Sequence, residues 1–195
     1  MNSRLRIAVA DDEPLMRDVL QLMLSQMGHE VVASAATGRE LVDLVAQTPV
    51  DLIITDIKMP DMDGLDAVGE VYRKTPKPII LASGYHDREY IERAQENHVL
   101  AYLIKPIKQA ELEAAIALAT RRFEEFNELS DEAADLRKAL ADRKVIERAK
   151  GLMMKHLRVD EAEAFRRLQK LANNKNQKLI DIANTILTAA EALNG

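Results

Sequence analysis

The stretch DLIITDIKMPDMDG, residues 51–64, decides the fold. Asp51–Thr55 is a run of apolar and β-branched residues, Asp56 closes it, and Leu65, Val68 and Val71 then fall at helical spacing. An apolar strand ended by an acid and followed by an amphipathic helix is half of a βαβ unit. The half-unit recurs on both sides. Arg6–Ala10 ends at Asp11-Asp12 and leads into Leu15, Val19, Leu22, Met23 and Met27, while Glu30–Ala33 leads into Leu41, Val42 and Val45. Pro78–Ala82 ends at Ser83 and leads into Tyr90, Ile91 and Ala94, and Val99–Ile104 ends at Lys105. The first, third and fourth strands are apolar nearly throughout, as central strands buried on both faces must be. The pattern predicts an α/β fold, a doubly wound five-stranded parallel sheet whose ligand site lies at the C-terminal strand ends.

Composition bounds what such a chain can be. Its 195 residues leave room for a second small domain, and 47% hydrophobic with 30% charged residues is ordinary for a chain with a core. There is no cysteine, which excludes disulfides, thiolate zinc sites and cysteine nucleophiles. No apolar run approaches the ~18 residues of a membrane span, and no signal-peptide core follows Met1. A cytoplasmic location with no membrane role is therefore expected. His29, His86, His98 and His156 lack ligand spacing, so no histidine metal site is expected; Met16, Met23 and Met27 read as core filler. The net charge of −5 hides a division, with −10 over residues 1–134 and +5 over residues 135–195. An acidic block and a basic block suggest two jobs, and the basic end is the candidate for nucleic acid.

After Pro106 the rhythm becomes helical. Leu112, Ile116, Ala119, Phe123, Phe126, Leu129, Ala133, Leu136 and Leu140 follow a heptad-like seam with one irregular step at Phe126–Leu129. Because the segment from Arg121 to Asp135 is very polar, the seam predicts a coiled-coil linker helix over 109–142 and a homodimer; the alternative is a helix docked on its own N-terminal domain. The tail predicts small helices: Ile146, Ala149, Leu152 and Met153 share a stripe, and Asp160 with Glu163 makes a capping box. Ala164, Phe165, Leu168 and Leu171 form an apolar face, with Phe165 read as core rather than as a base-stacking platform. A turn at 173–176 precedes a last helix with Leu179, Ile182, Ala183, Ile186 and Leu187. These pack as a three-helix unit.

Chemistry gathers where the strands end. In a doubly wound sheet Asp11, Asp12 and Asp56 converge, and three carboxylates need protonation or a hard cation such as Mg2+ to coexist. Ser83 and Lys105 bring a hydroxyl and an ammonium to the same edge. Positive groups around a carboxylate make a phosphoryl-transfer site in which the carboxylate attacks.

Residues 1 to about 120 resemble the receiver domain of two-component response regulators. The resemblance lies in AVADDE (8–13), ITDIKMPDMDG (54–64), ASG (82–84) and AYLIKP (101–106). It implies a flavodoxin-like fold, Asp56 as phosphoacceptor, and Mg2+ held by Asp12, Asp56 and the Lys58 carbonyl, with Asp11 acting through water. It further implies that Ser83 and Lys105 contact the phosphoryl group, that Tyr102 changes rotamer with Ser83, and that the Lys105–Pro106 bond is cis. A sensor histidine kinase is the implied partner. The resemblance also implies a domain that is not an enzyme toward other substrates and promotes only its own phosphorylation and dephosphorylation at Asp56.

Residues 135–195 resemble the ANTAR domain, the RNA-binding module of transcription antiterminators, through RKVIERAKGLMM (143–154), EAFRRL (163–168) and KLIDIA (178–183). The sequence departs from that family's pattern at Ala172-Asn173-Asn174. Arg143, Lys144, Arg148, Lys150, Gly151, Lys175 and Lys178 are the candidate contacts to hairpin loops of leader transcripts: cations supply salt-dependent affinity, and small Ala149 and Gly151 allow close approach. The implied protein is a phosphorylation-regulated antiterminator, dimeric through the coiled coil on phosphorylation. The alternative output is protein contact without RNA. DNA binding is disfavoured because no helix–turn–helix with a polar recognition helix is present.

Overall fold

The computed structural model describes residues 4–84 and 99–194. In chain order these form β1 (Arg6–Ala10), α1 (Pro14–Gln26), β2 (Glu30–Ala35), α2 (Gly38–Gln47), β3 (Leu52–Asp56), α3 (Gly64–Lys74), β4 (Ile79–Ser83) and β5 (Ala101–Ile104). Three helices follow: α4 (Gln109–Leu157), α5 (Glu161–Lys175) and α6 (Leu179–Asn194). The chain divides into two compact units, Met1–Asn127 and Glu128–Gly195. The helical pattern of Tyr90, Ile91 and Ala94 lies outside the described residues, as do His86 and His98.

The sheet is parallel with order β2-β1-β3-β4-β5, and its strands begin and end within two residues of the expected ones. Because side chains alternate along a strand, the sheet separates two cores. Ile7 and Val9 of β1 and Leu52 and Ile54 of β3 face Leu20 and Leu24 of α1 and Leu112 and Ile116 of α4. Ala8, Ala10 and Ile53 face Leu41 and Val42 of α2 and Ala67, Val68 and Val71 of α3. Side chains cap two of the helices at the C-terminal sheet edge. Thr37 accepts from the Glu40 amide at 3.2 Å, and Asp63 accepts from the Asp66 amide at 2.7 Å.

Two expectations are corrected. On α1 the buried leucines are Leu20 and Leu24, with Met16, Met23 and Met27 packed beside them, whereas Leu15 and Leu22 are 73% and 61% exposed. Leu15 and Leu22 are seven apart and so share the outer face. The heptad seam on α4 also divides. Leu112, Ile116 and Ala119 are buried in the first unit's own core and cannot face a partner helix. Phe126, Leu129, Leu136 and Leu140 are 50–66% exposed.

In the second unit Ala149 and Met153 of α4, Ala164, Leu168 and Ala172 of α5, and Ile182, Ala183 and Leu187 of α6 enclose one core. Asp160 caps α5 by accepting from the Glu163 amide at 2.8 Å. The reciprocal half of the capping box is absent, because the Glu163 carboxylate turns to Arg166 and Arg167 at 3.0 and 2.8 Å. Helix α5 ends at Asn176, whose left-handed backbone (φ 52°) lets its amide bond back to the Ala172 and Asn173 carbonyls.

Candidate functional site

The pairing of the strands builds the acidic pocket. Ala10 pairs with Thr55, so the next residues, Asp11 and Asp56, leave the sheet at the same edge. Asp56 is level with Ala82, Ser83 with Ile104, and the Lys105 amide donates to the Ser83 carbonyl at 3.0 Å. One carboxylate oxygen from each of Asp11, Asp12 and Asp56 lies within 4.8 Å of the others. Asp11 is fully buried, Asp56 and Ser83 nearly so, and Asp12 faces out. Lys105 Nζ stands 2.7 Å from both Asp11 Oδ2 and Asp56 Oδ2, but only the Asp56 contact has hydrogen-bond direction. The Asp56 Oδ1 accepts from the Ile57 amide at 2.6 Å. The Lys105–Pro106 bond is cis.

The loop after β3 is held against Asp56 by small residues. Gly64 donates to the Ile57 carbonyl at 2.7 Å, and a Cβ on Gly64 would overlap the Asp56 carbonyl. Thr55 Oγ1 donates to that same carbonyl at 2.9 Å. A Cβ on Gly38 would overlap the Met62 carbonyl from the other side. Tyr102 is half-buried against Ile57, Leu65 and Leu81.

Burial pushes the Asp56 carboxyl above the usual range; Lys105 and the Ile57 amide work against this, and the Asp11 charge adds to it. Burial alone would lower the Lys105 ammonium, but its contacts to Asp11 and Asp56 outweigh that and leave it raised. Two buried acids thus share one cation and a third acid stands beside them. The buried Asp11 Oδ2, close to Lys105 but without an aligned donor, leaves oxygen valence for a hard cation, so this donor set fits Mg2+.

The basic tail has a different geometry. Lys150 is 6% exposed, with Nζ 2.8 and 2.9 Å from the two oxygens of Glu147 and 2.7 Å from Glu161 Oε1 across on α5. The ammonium also lies 5.8 Å from the centroid of the half-buried Phe165 ring. The contacts raise its pKa, the Glu147 hydrogen bond most and the Glu161 bond next. Ala149 is fully buried, whereas Gly151 is exposed and a Cβ there would meet open space.

The family model for the response regulator receiver domain matches residues 7–117, and the model for the ANTAR domain matches residues 134–187. The chain belongs to the response regulators that join a receiver to an ANTAR domain. This response regulator is 38% identical over 182 residues to the transcriptional regulatory protein PdtaR of Mycobacterium tuberculosis, covering 93% of this chain and 89% of that one. It is 32% identical over 118 residues to the transcriptional regulatory protein HptR of Staphylococcus aureus, covering 60% and 46% of the two chains. A CheY-like receiver domain from Methanospirillum hungatei superposes with a TM-score of 0.59 at 27% identity, over 63% of this chain and 98% of that one. A receiver domain from Clostridium thermocellum gives 0.58 at 29% identity, with the same coverage. No helix among the described residues is long and apolar enough to cross a membrane.

In this response regulator the fold brings Asp11, Asp12, Asp56, Ser83 and Lys105 to one edge, with Lys58 in the loop that follows Asp56. Lys150 stands apart from the other basic candidates: its ammonium pairs with two glutamates and faces an aromatic ring, contacts that tie α4 to α5. Arg143, Lys144, Lys175 and Lys178 are exposed, and so is Arg148. Two residues went unnoticed in the sequence. Arg17 donates from Nη1 to the Asp11 carbonyl at 2.6 Å and pins the turn that carries the acid pair. Lys155 is exposed and lies four residues beyond Gly151, which places it on the same helical face as Lys144, Arg148 and Gly151. Spacing from Gly151 was the signal for Lys155; nothing in the sequence marked Arg17.

Proposed function

We propose that this response regulator is a phosphorylation-controlled antiterminator: phosphorylation of Asp56 governs binding of the basic tail to hairpin loops in nascent leader transcripts. A sensor histidine kinase donates the phosphoryl group. An Asp56 oxygen bonds to phosphorus, the bond from phosphorus to the kinase imidazole breaks, and the imidazole nitrogen takes up a proton. Asp11, Asp12, Asp56 and the Lys58 carbonyl would hold Mg2+, which would supply positive charge to neutralise the phosphoryl oxygens. Lys105, 2.7 Å from Asp56 Oδ2, carries the reading: it is placed to pair with the new anion once the carboxylate has become an acyl phosphate. Ser83 contacts the group and Tyr102 turns with it, altering the face that β5 and the start of α4 share. The exposed Phe126, Leu129, Leu136 and Leu140 then meet the same seam of a second copy, and two tails act on one transcript with a raised effective concentration. Kinase and transcript place this work in the cytoplasm. Arg143, Lys144, Arg148, Lys155, Lys175 and Lys178 supply phosphate contacts, and exposed Gly151 lets the backbone come close.

One observation favours protein contact as the output instead. An apolar cavity of about 450 Å3 in the second unit is lined by Leu152, Met153, His156, Leu157, Leu171 and Ile186, among others. One experiment separates the readings. Full-length protein is incubated with acetyl phosphate and Mg2+, then followed by sedimentation and by titration with hairpin RNA. Doubled mass and tighter, salt-dependent RNA binding support the antiterminator. A labelled protein of doubled mass that ignores RNA points to protein contact.

A further inference from the structure

The longest acid-free stretch of the second unit is not on α4 but runs from Ala164 to Ile180. It holds five cations and five side-chain amides, and its flanking acids are Glu163 and Asp181. Glu163 is occupied by Arg166 and Arg167. Lys170, Asn173 and Asn174 stand at i, i+3 and i+4 on α5, so they share one face. That face is opposite the stripe of Ala164, Leu168 and Ala172 that the helix buries.

All three side chains are exposed, and among the described residues none makes a hydrogen bond or ion pair. The fold has no need of the two amides. The helix is closed by the backbone of Asn176 bonding to Ala172 and Asn173, not by the side chains of Asn173 or Asn174. Asparagine is among the poorer helix formers, because its amide competes for backbone groups. Two in succession inside α5, exposed, unpartnered and flanked in sequence by Lys170 and Lys175, leave their amides open to a group outside the chain.

We infer that Asn173 and Asn174, on the exposed face of α5, read the bases of the RNA contact, with Lys170, Lys175 and Lys178 holding the flanking phosphates. This deepens the reading given above and rests on it. Cations alone bind phosphate without regard to sequence. A primary amide offers a donor and an acceptor side by side, which matches the edges of unpaired bases in a loop. The amides therefore set which loop is chosen, and the lysines set how tightly any loop is held.

The test uses full-length protein treated with acetyl phosphate and Mg2+, and a pool of RNA hairpins with one stem and randomised loops. Wild-type protein enriches particular loops. Asn173→Ala and Asn174→Ala flatten that enrichment by about tenfold or more while the dependence of affinity on salt keeps its slope. Lys170→Ala and Lys175→Ala keep the loop preference but lower the slope, by about one unit each for a full phosphate contact. Alanine favours helix, so the asparagine variants keep their fold, which circular dichroism verifies. Undiminished loop preference in both asparagine variants overturns the inference and leaves RNA binding standing. A wild-type protein that prefers duplex DNA, or binds no hairpin, overturns the RNA reading itself.

Discussion

The receiver and the output unit handle charge in opposite ways. In the receiver pocket two acids are buried and the acids outnumber their counter-charge: Asp11 and Asp56 share Lys105, with exposed Asp12 alongside. In the output unit one cation, Lys150, is buried and has two acids to itself, while the remaining basic side chains stand in water. Coulomb energies are large where water is excluded and small where it is not. An unbalanced buried cluster therefore responds strongly to a new ligand, a balanced buried one holds helices together, and exposed cations act as salt-sensitive handles. On the proposed function, the same residue types would serve as switch, tie and grip according to burial.

The sharpest way to break this comparison is at the switch. Asp56→Asn should abolish incorporation of phosphoryl groups from acetyl phosphate, at least a hundredfold below the parent, as read on a phosphate-affinity gel; labelling that persists would place the acceptor elsewhere. Next come the grips. Lys144→Ala and Lys155→Ala should each weaken hairpin binding by about three- to tenfold at moderate salt, with a shallower salt dependence. No change in both would move the RNA surface off α4.

A smaller effect lies in the stability of the pocket. Mg2+ should raise the thermal midpoint of the parent, and Asp12→Asn should remove most of that rise. Without metal the sign follows from the raised Asp56 carboxyl. Folding favours its neutral form, so its contribution is present below the ordinary carboxylate range and is lost as pH rises through the raised value. Asp56→Asn should therefore gain on the parent in thermal midpoint as pH rises from the ordinary carboxylate range through that raised value; a constant difference would remove the buried-acid account.

The smallest effect concerns the tie. Lys150→Met should lower the melting temperature of the protein yet leave the salt slope of RNA binding unaltered, and Glu161→Gln should hold affinity within about twofold. Were Lys150 a phosphate ligand, Lys150→Met would flatten the slope and Glu161→Gln would tighten binding by freeing it.

Much of this was legible in the sequence wherever local pattern and topology agree. An acid, hydroxyl or lysine directly after an apolar strand has one place to go in a parallel sheet, so Asp11, Asp56, Ser83 and Lys105 could be brought together on paper. Periodicity failed where apolar residues surround a helix. On α1 the pattern read as Leu15, Val19, Leu22, Met23 and Met27 passed over Leu20 and Leu24, which the sheet beneath buries instead of Leu15 and Leu22. It failed again where one side chain's role depends on a distant element. Lys150 reads as a surface cation until Glu161, eleven residues on, arrives across it. The heptad of α4 shows the same limit, since spacing is identical whether the partner is the chain's own sheet, as for Leu112 and Ile116, or another helix.

Gly38 and Gly64 pinch the loop after β3 from two directions, one against the Met62 carbonyl and the other against the carbonyl of Asp56. Neither touches a phosphoryl group, yet neither has space for even a methyl. A saturation library sorted on acyl-phosphate yield should accordingly lose every variant at these two sites alongside those at the acids. In such a dataset two chemically inert positions would pass for reactive ones, and only the shape of the loop tells them apart.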